Sequence, residues 1–380
     1  MKSAPLLMIP GPTHVDPRIL RALSQNTIHF TSSEFARLLL DTVADLKTIM
    51  QTSGDVIVMA GTGTFGLESA IANTVRPGDR VLVLNHGKWG ERFARIARSY
   101  GAAVKELTAE PGEVVPLASV ESELRERHYE VVLATHVETS YGVRAPIAEI
   151  AKLVHQHDSL FIVDGVSSTG AVYEPMDDWG IDVLVTASQK ALGCPPGLAI
   201  LGIGPRALRV RRERDSIPHH YGDWLEYIRV LENPTVETHV THPVNMIYAL
   251  REGLRLIMED GIEKRIARHE RWARAARAGL VALGFQPLVR EEVAASTVTV
   301  ALYPPEVPDA AFRAAVERHG VVIASCVGAL AGKGVRLGHM GNITDLDIIG
   351  CFGVFEQVLL EMGHSDLLGK GVAAAEAALR

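Results

Sequence analysis

Three short stretches of this 380-residue chain place chemically able side chains at the ends of apolar runs. The first is Thr186-Ala187-Ser188-Gln189-Lys190-Ala191-Leu192-Gly193-Cys194-Pro195-Pro196-Gly197, where a lysine stands between an apolar run and a turn rich in Gly and Pro. Held away from bulk water, Lys190 has a lowered pKa and offers a neutral amine as a nucleophile; a lysine snorkelling to the surface is the ordinary alternative. The second stretch is Phe161-Ile162-Val163-Asp164-Gly165-Val166-Ser167-Ser168. A carboxylate that closes a buried strand needs a partner, because desolvating it alone is strongly unfavourable. Asp164 is therefore either a cap on the following loop or the counter-charge of a protonated ring nitrogen. The third is Ala60-Gly61-Thr62-Gly63-Thr64-Phe65-Gly66-Leu67-Glu68, a glycine-rich turn that runs into a helical pattern. Backbone N–H groups at a helix start, two nearby hydroxyls and glycines that permit close approach make an anion cradle, with plain turn chemistry as the competing reading. The stretch lacks the Gly-Lys-Thr/Ser of a P-loop and fails the dinucleotide spacing, which puts ATP and NAD behind.

The elements that must position these residues alternate in type. Strand-like runs fall at 56–59, 80–84, 131–134, 160–163, 183–185 and 198–201, and helical patterns lie between several of them, as at 89–99 and 147–157. That alternation predicts a parallel sheet covered by helices on both faces, and in such α/β sheets ligands sit beyond the carboxyl ends of the strands. From Pro243 the pattern changes. A long helical stretch reaches Met258, a second, arginine-rich one covers 262–283, and the remainder mixes strands (297–302, 321–324) with helices (309–319, 346–361). The expected organisation is an N-terminal arm over residues 1–18, a large domain over 19–260 and a smaller α+β domain over 261–380. The arm, rich in Pro and Gly, is expected to lie over another surface, with that of a partner subunit as one candidate.

Composition narrows the function classes. At 47% hydrophobic residues the chain can bury a substantial core, and a net charge of −7 spread over short mixed-sign stretches leaves no basic face for nucleic acid. Cys194, Cys326 and Cys351 are too few and too far apart for a disulfide framework or a zinc site, so no metal is expected and a reducing compartment fits. Prolines at 5, 10 and 12 interrupt the first apolar run, and no run approaches the roughly 20 residues of a membrane span. The expectation is a cytoplasmic protein without membrane contact.

Taken in order, the Gly-Thr-Gly-Thr turn, Trp89 in Asn85-His86-Gly87-Lys88-Trp89-Gly90, the Val-Asp-Gly-Val-Ser-Ser stretch and Ser-Gln-Lys resemble the class V aminotransferases of fold type I. These use pyridoxal 5′-phosphate (PLP), and the resemblance is specifically to the alanine–glyoxylate and serine–pyruvate/glyoxylate group. It extends from Pro10-Gly11-Pro12-Thr13 and His29-Phe30-Thr31-Ser32-Ser33-Glu34-Phe35 to Arg336-Leu337-Gly338-His339-Met340-Gly341. The fold it implies is a large domain with a mainly parallel sheet of the seven-stranded type, plus a smaller C-terminal α+β domain.

The resemblance also implies roles. Lys190 would form the Schiff base with PLP and move the proton between substrate Cα and cofactor C4′. Asp164 would pair with the pyridinium nitrogen. Val166 would pack on one face of the ring and Trp89 on the other, although Trp89 also suits a core position at a helix start. Thr62, Gly63 and Thr64, with Gln189, would hold the phosphate. Thr139, in Thr135-His136-Val137-Glu138-Thr139-Ser140-Tyr141-Gly142, would reach the 3′-oxygen or serve as a simple turn hydroxyl. Arg336 would clamp the substrate carboxylate, with Gly11 also contacting substrate. Thr238 and Thr241, in Thr238-His239-Val240-Thr241-His242-Pro243, would reach the phosphate of the other subunit in a homodimer. Thr238 stands where the family often has tyrosine, so a bulky aromatic contact is missing there.

The expected reaction passes an amino group from alanine or serine to glyoxylate or pyruvate by a ping-pong route. Small substrates are favoured because no further arginine can be placed for a dicarboxylic side chain. Two rivals remain. A cysteine desulfurase or lyase shares the scaffold and would need a nucleophilic thiol, for which Cys326 is the candidate; a non-catalytic scaffold protein would need neither Lys190 nor Asp164.

Overall fold

The computed structural model describes residues 4–233 and 238–380; residues 1–3 of the expected arm lie outside them. Strand β1 (Leu6–Met8) comes first, followed by β2 (Asp55–Ala60), β3 (Arg80–Asn85), β4 (Ala103–Thr108) and β5 (Val131–Thr135). A two-residue-per-strand hairpin, β6 (Val137–Glu138) and β7 (Val143–Arg144), precedes β8 (Leu160–Asp164), β9 (Val183–Ala187) and β10 (Leu198–Ile203). The main sheet has seven strands in the order β2-β10-β9-β8-β5-β3-β4.

Alternation along the strands divides its two faces. Val56, Leu82, Val132, Phe161 and Leu184 point into one core with the helices Ser33–Met50, Ile147–Gln156 and Val244–Asp260. Ile57, Val83, Leu133, Ile162 and Val185 point into the other, under Gly63–Thr74 and Lys88–Ser99. A sheet buried on both sides needs this near-continuous apolar composition.

The expected fold class holds, with three differences of detail. The run 198–201 belongs to β10, which pairs antiparallel with both β9 and β2, against the direction of the rest of the sheet. The connection from β9, residues 188–197, is shorter than the dozen or so residues that a parallel crossover requires. Strand β4 escapes a reading by apolar runs because it is an edge strand, Ala-Val-Lys-Glu-Leu-Thr, with no buried residue. The helix Ser33–Met50 also lies outside the expected elements; the Ser32 side chain caps it by accepting from Phe35 N, and Phe35, Leu39, Val43 and Leu46 line its buried stripe.

The C-terminal part forms a second, mixed sheet. Strands β11 (Gln286–Pro287), β12 (Val298–Leu302), β13 (Val321–Ser325) and β14 (Gly334–Gly338) join β1 in the order β1-β13-β14-β12-β11. Within the 18 residues expected to form an arm, Leu6–Met8 pair as β1 parallel with β13 of their own chain, and Met8 is wholly buried in the small core. An apolar Leu-Leu-Met segment gains more from completing a sheet over a core than from lying on a surface. Among the described residues no helix is long and apolar enough to cross a membrane.

Arg265, on the helix Ile262–Ala282, ties the two parts together. It is 1% exposed, and its guanidinium donates to the carbonyls of Gly170 (3.1 Å), Ala191 (2.7 Å) and Gly341 (3.1 Å). Replacing it with methionine leaves those carbonyls without a donor, and a loss of about 3–5 kcal/mol in folding free energy is expected. Urea unfolding of the cofactor-free protein measures this; an unchanged midpoint would show that water takes over the guanidinium's bonds.

Candidate active site

Lys190 lies in the reversing connection between β9 and β10, and its backbone is held from two sides. The Lys190 carbonyl accepts from Thr13 Oγ1 at 3.0 Å and from Gly193 N at 2.9 Å. Its Nζ donates to the Pro10 carbonyl, on the loop that follows β1. Gly11, at φ +100°, brings that loop down on the lysine: a Cβ there would lie 2.5 Å from Lys190 Cδ. Desolvation pushes the ammonium down to about 8, an effect that Asp164 opposes and that Arg336 and Arg92 reinforce. At neutral pH a usable fraction of Lys190 is then neutral amine, the form that attacks a carbonyl carbon.

Asp164 ends β8 and is 6% exposed. One carboxylate oxygen accepts from Val166 N at 3.0 Å, which is the local turn expected of an Asp in this place. Burial nevertheless pushes its pKa up to about 7, and the nearby Glu138 and Glu174 charges add to the rise. Lys190 acts on it through space, without a salt bridge. A buried carboxyl facing a cavity with no cation in contact among the described residues is an incomplete site. A protonated ring nitrogen supplies the missing partner, so the residues present fit PLP.

The start of the helix Gly63–Thr74 comes close to Val166. A Cβ on Gly63 would fall 2.6 Å from Val166 Cγ2, so only glycine allows the approach. Across the cavity, Trp89 is fixed at both its ends. Its backbone N donates to Glu138 Oε2 at 3.0 Å and its indole Nε1 to Thr139 Oγ1 at 2.5 Å. The Thr139 hydroxyl spends a lone pair on the indole and keeps its proton for another acceptor. Glu138 is fully buried and also accepts from Gly90 N, Ser140 N and Ser140 Oγ; burial raises its pKa against these bonds.

These parts enclose a cavity of about 340 Å³. Gly11, Thr62, Gly63, Thr64 and Trp89 line it, as do Asp164, Val166, Gln189 and Lys190. The Gln189 Oε1 atom is buried without a hydrogen-bond partner among the described residues. Thr139, bonded to the Trp89 indole, is not among the lining residues. Arg336, on β14, does not line the cavity; its Nε donates to the Ser325 carbonyl at 2.8 Å and Nη1 to the Thr139 carbonyl at 3.4 Å. Thr238 and Thr241 also lie outside: the Thr238 hydroxyl donates to the Val240 carbonyl, and Thr241 is exposed. Two residues had no part in the expected site. Arg92 lines the cavity one helical turn after Trp89, a spacing that sequence could have offered, and Glu138 was visible only as a neighbour of Thr139.

A mainly parallel seven-stranded sheet, with a lysine turn and a buried aspartate at its carboxyl edge and a smaller mixed-sheet domain beside it, defines a PLP-dependent enzyme of fold type I. The family model described as aminotransferase class-V matches residues 17–333, and the chain belongs to that family, whose members use PLP. It is 35% identical to the L-aspartate–glyoxylate aminotransferase of Paracoccus denitrificans, over 99% of this chain and 96% of that one. It is 32% identical to the serine–glyoxylate aminotransferase of Arabidopsis thaliana, over 98% and 95%. Among solved structures, the ureidoglycine–glyoxylate aminotransferase of Bacillus subtilis superposes with a TM-score of 0.95 at 30% identity, covering 100% of this chain and 98% of the other.

The raised pKa of Asp164 has a consequence for stability. Its folded value, about 7, lies above the ordinary value near ~3.9, so folding favours the protonated form. That contribution is complete below pH ~4 and is lost as pH rises through 7. In the cofactor-free protein, Asp164→Asn is therefore expected to be stabilising at pH 8, by on the order of 2–4 kcal/mol, and to lose most of that advantage by pH 5. Denaturant titrations at the two pH values check this; a pH-independent difference would mean that the carboxyl ionises freely.

Proposed function

We propose that the chain transfers the amino group of a small amino acid, alanine or serine, to a small 2-oxo acid, glyoxylate or pyruvate, in two half-reactions. The observation that carries this reading is the pairing, in one cavity, of a lysine whose pKa is pushed down to about 8 with an aspartate that lacks a cationic contact. The relatives support glyoxylate as the acceptor, since all three carry it in their names while their donors differ.

When bound, PLP supplies the electron sink for negative charge that develops at the substrate Cα. Asp164 would keep the proton on the ring nitrogen, and Trp89 and Val166 would confine the ring from its two faces. Thr139, already an acceptor for the indole, would donate to the 3′-oxygen. Thr62, Gly63, Thr64 and Gln189 would receive the phosphate, with the buried Gln189 side chain finding a partner there. Lys190 Nζ would take the proton from substrate Cα and return it at C4′, a general base and acid in one group. Arg336, whose Nη1 and Nε are anchored on carbonyls, would present its remaining N–H groups to the substrate carboxylate, close to Gly11. A homodimer completes the reading: Thr241 is exposed and outside the cavity of its own chain, where a residue serving a second subunit has to stand.

The desulfurase alternative depends on Cys326. That thiol is 3% exposed, and burial pushes its pKa up to about 11, which keeps it protonated and unreactive. Cys194 and Cys351 are buried as well.

Two measurements test the reading. Purified protein incubated with PLP is expected to turn yellow, with an absorption band beyond that of its aromatic residues; Lys190→Ala should lose the covalent band and lower transamination by on the order of 10³-fold or more. A colourless wild-type protein would sink the assignment. In a half-reaction screen, alanine or serine should bleach the band and cysteine should release no sulfide. Fast bleaching by glutamate alone would overturn the preference for small donors.

A further inference from the structure

Arg92 has no place in the machinery described so far, yet it lines the same cavity. It follows Trp89 by one turn on the helix Lys88–Ser99, and its guanidinium carbon lies 4.4 Å from the centroid of the Trp89 ring. Its Nη1 donates to Thr64 Oγ1 at 2.9 Å. Thr64 is the second residue of the helix Gly63–Thr74, so the guanidinium stands beside the helix start that the functional reading gives to the phosphate. Among the described residues Arg92 forms no salt bridge; Asp164 and Glu138 act on it only through space. A partly buried cation with a neutral hydroxyl as its hydrogen-bond partner has an unused charge.

The charge on the other side is also uncompensated. A phosphate monoester carries nearly two negative charges at neutral pH, whereas a helix start offers the equivalent of about half a positive charge. Thr62, Thr64 and Gln189 add neutral donors. With Asp164 at the ring-nitrogen end of the cavity, the phosphate end needs a full positive charge, and a planar guanidinium meets phosphate oxygens with two parallel N–H bonds.

We infer that Arg92 is the cationic anchor of the cofactor's phosphate, held in plane by the Trp89 ring and aimed by Thr64. The inference rests on the functional reading only in placing the phosphate at the start of the helix Gly63–Thr74. It makes the arginine that lines the cavity a cofactor residue, and so leaves, among the described residues, no lining guanidinium for the distal carboxylate of a dicarboxylic donor.

The test is a titration of cofactor-free protein with PLP and with pyridoxal, which lacks the phosphate, followed by tryptophan fluorescence for wild type, Arg92→Gln and Arg92→Lys. Arg92→Gln is expected to weaken PLP binding by on the order of 10–100-fold while changing pyridoxal binding by less than about 3-fold, with Arg92→Lys between it and wild type. Inorganic phosphate should raise the thermal midpoint of cofactor-free wild type more than that of Arg92→Gln, a comparison that also reports whether the variant folds. Equal weakening of PLP and pyridoxal would overturn the inference and make Arg92 a support for the Trp89 ring. Unchanged PLP affinity, with a raised KM for an acidic donor, would overturn it in favour of a substrate contact. If wild type took up no PLP, the functional reading would fall and the inference with it; if wild type and Arg92→Gln took it up equally, the inference alone would fall.

Discussion

Lys190 has to be reactive as an amine and yet stay in one place, and these demands pull against each other, since a group removed from water loses the bonds that would orient it. The structure meets both through the backbone. The Lys190 carbonyl is bonded by Thr13 from the N-terminal loop and by Gly193 from its own turn, and the next carbonyl, that of Ala191, is bonded by Arg265. With the peptide clamped by three separate parts of the chain, the side chain can be desolvated without being lost. The antiparallel turn of β10, the strand β1 in the small sheet and the glycine at position 11 all serve that arrangement.

The same logic of paired deficits runs through the rest of the cavity. Among the described residues, Asp164 is a buried carboxyl without a cationic contact, Gln189 carries a buried oxygen without a partner, and Arg92 is a cation without a salt bridge. All three residues line the same cavity. On the proposed reading, a ligand with a cationic ring nitrogen at one end and an anion at the other would supply those partners.

Trp89 illustrates how a ring is fixed beside such a space. Its helix starts on the carboxylate of Glu138 and its indole ends on the hydroxyl of Thr139, adjacent residues of one short strand and its turn. Glu138 is invisible to a search for catalytic acids because all its acceptor capacity goes into backbone N–H groups and Ser140. A charged residue at a helix start, satisfied by four donors, is a positioning device rather than a reactant.

Residue type and local order were enough to read the α/β alternation, the strand ends that carry Thr62, Asp164 and Lys190, and the family to which the chain belongs, because these depend on contacts within a few residues. Other features were beyond that reach. The reversed direction of β10 and the edge strand β4 are set by sheet pairing, which apolar runs do not encode; β1 looked like an arm because three residues carry no periodicity. The contact of Glu138 with Trp89 and the seat of Gly11 on Lys190 join segments far apart in the chain, whereas Arg92, one turn after Trp89, was within reach of its spacing. Sequence by itself determined which side chains were available for the chemistry; only the tertiary structure decided which of them share one desolvated cavity, since burial and charge balance are properties of the packed whole.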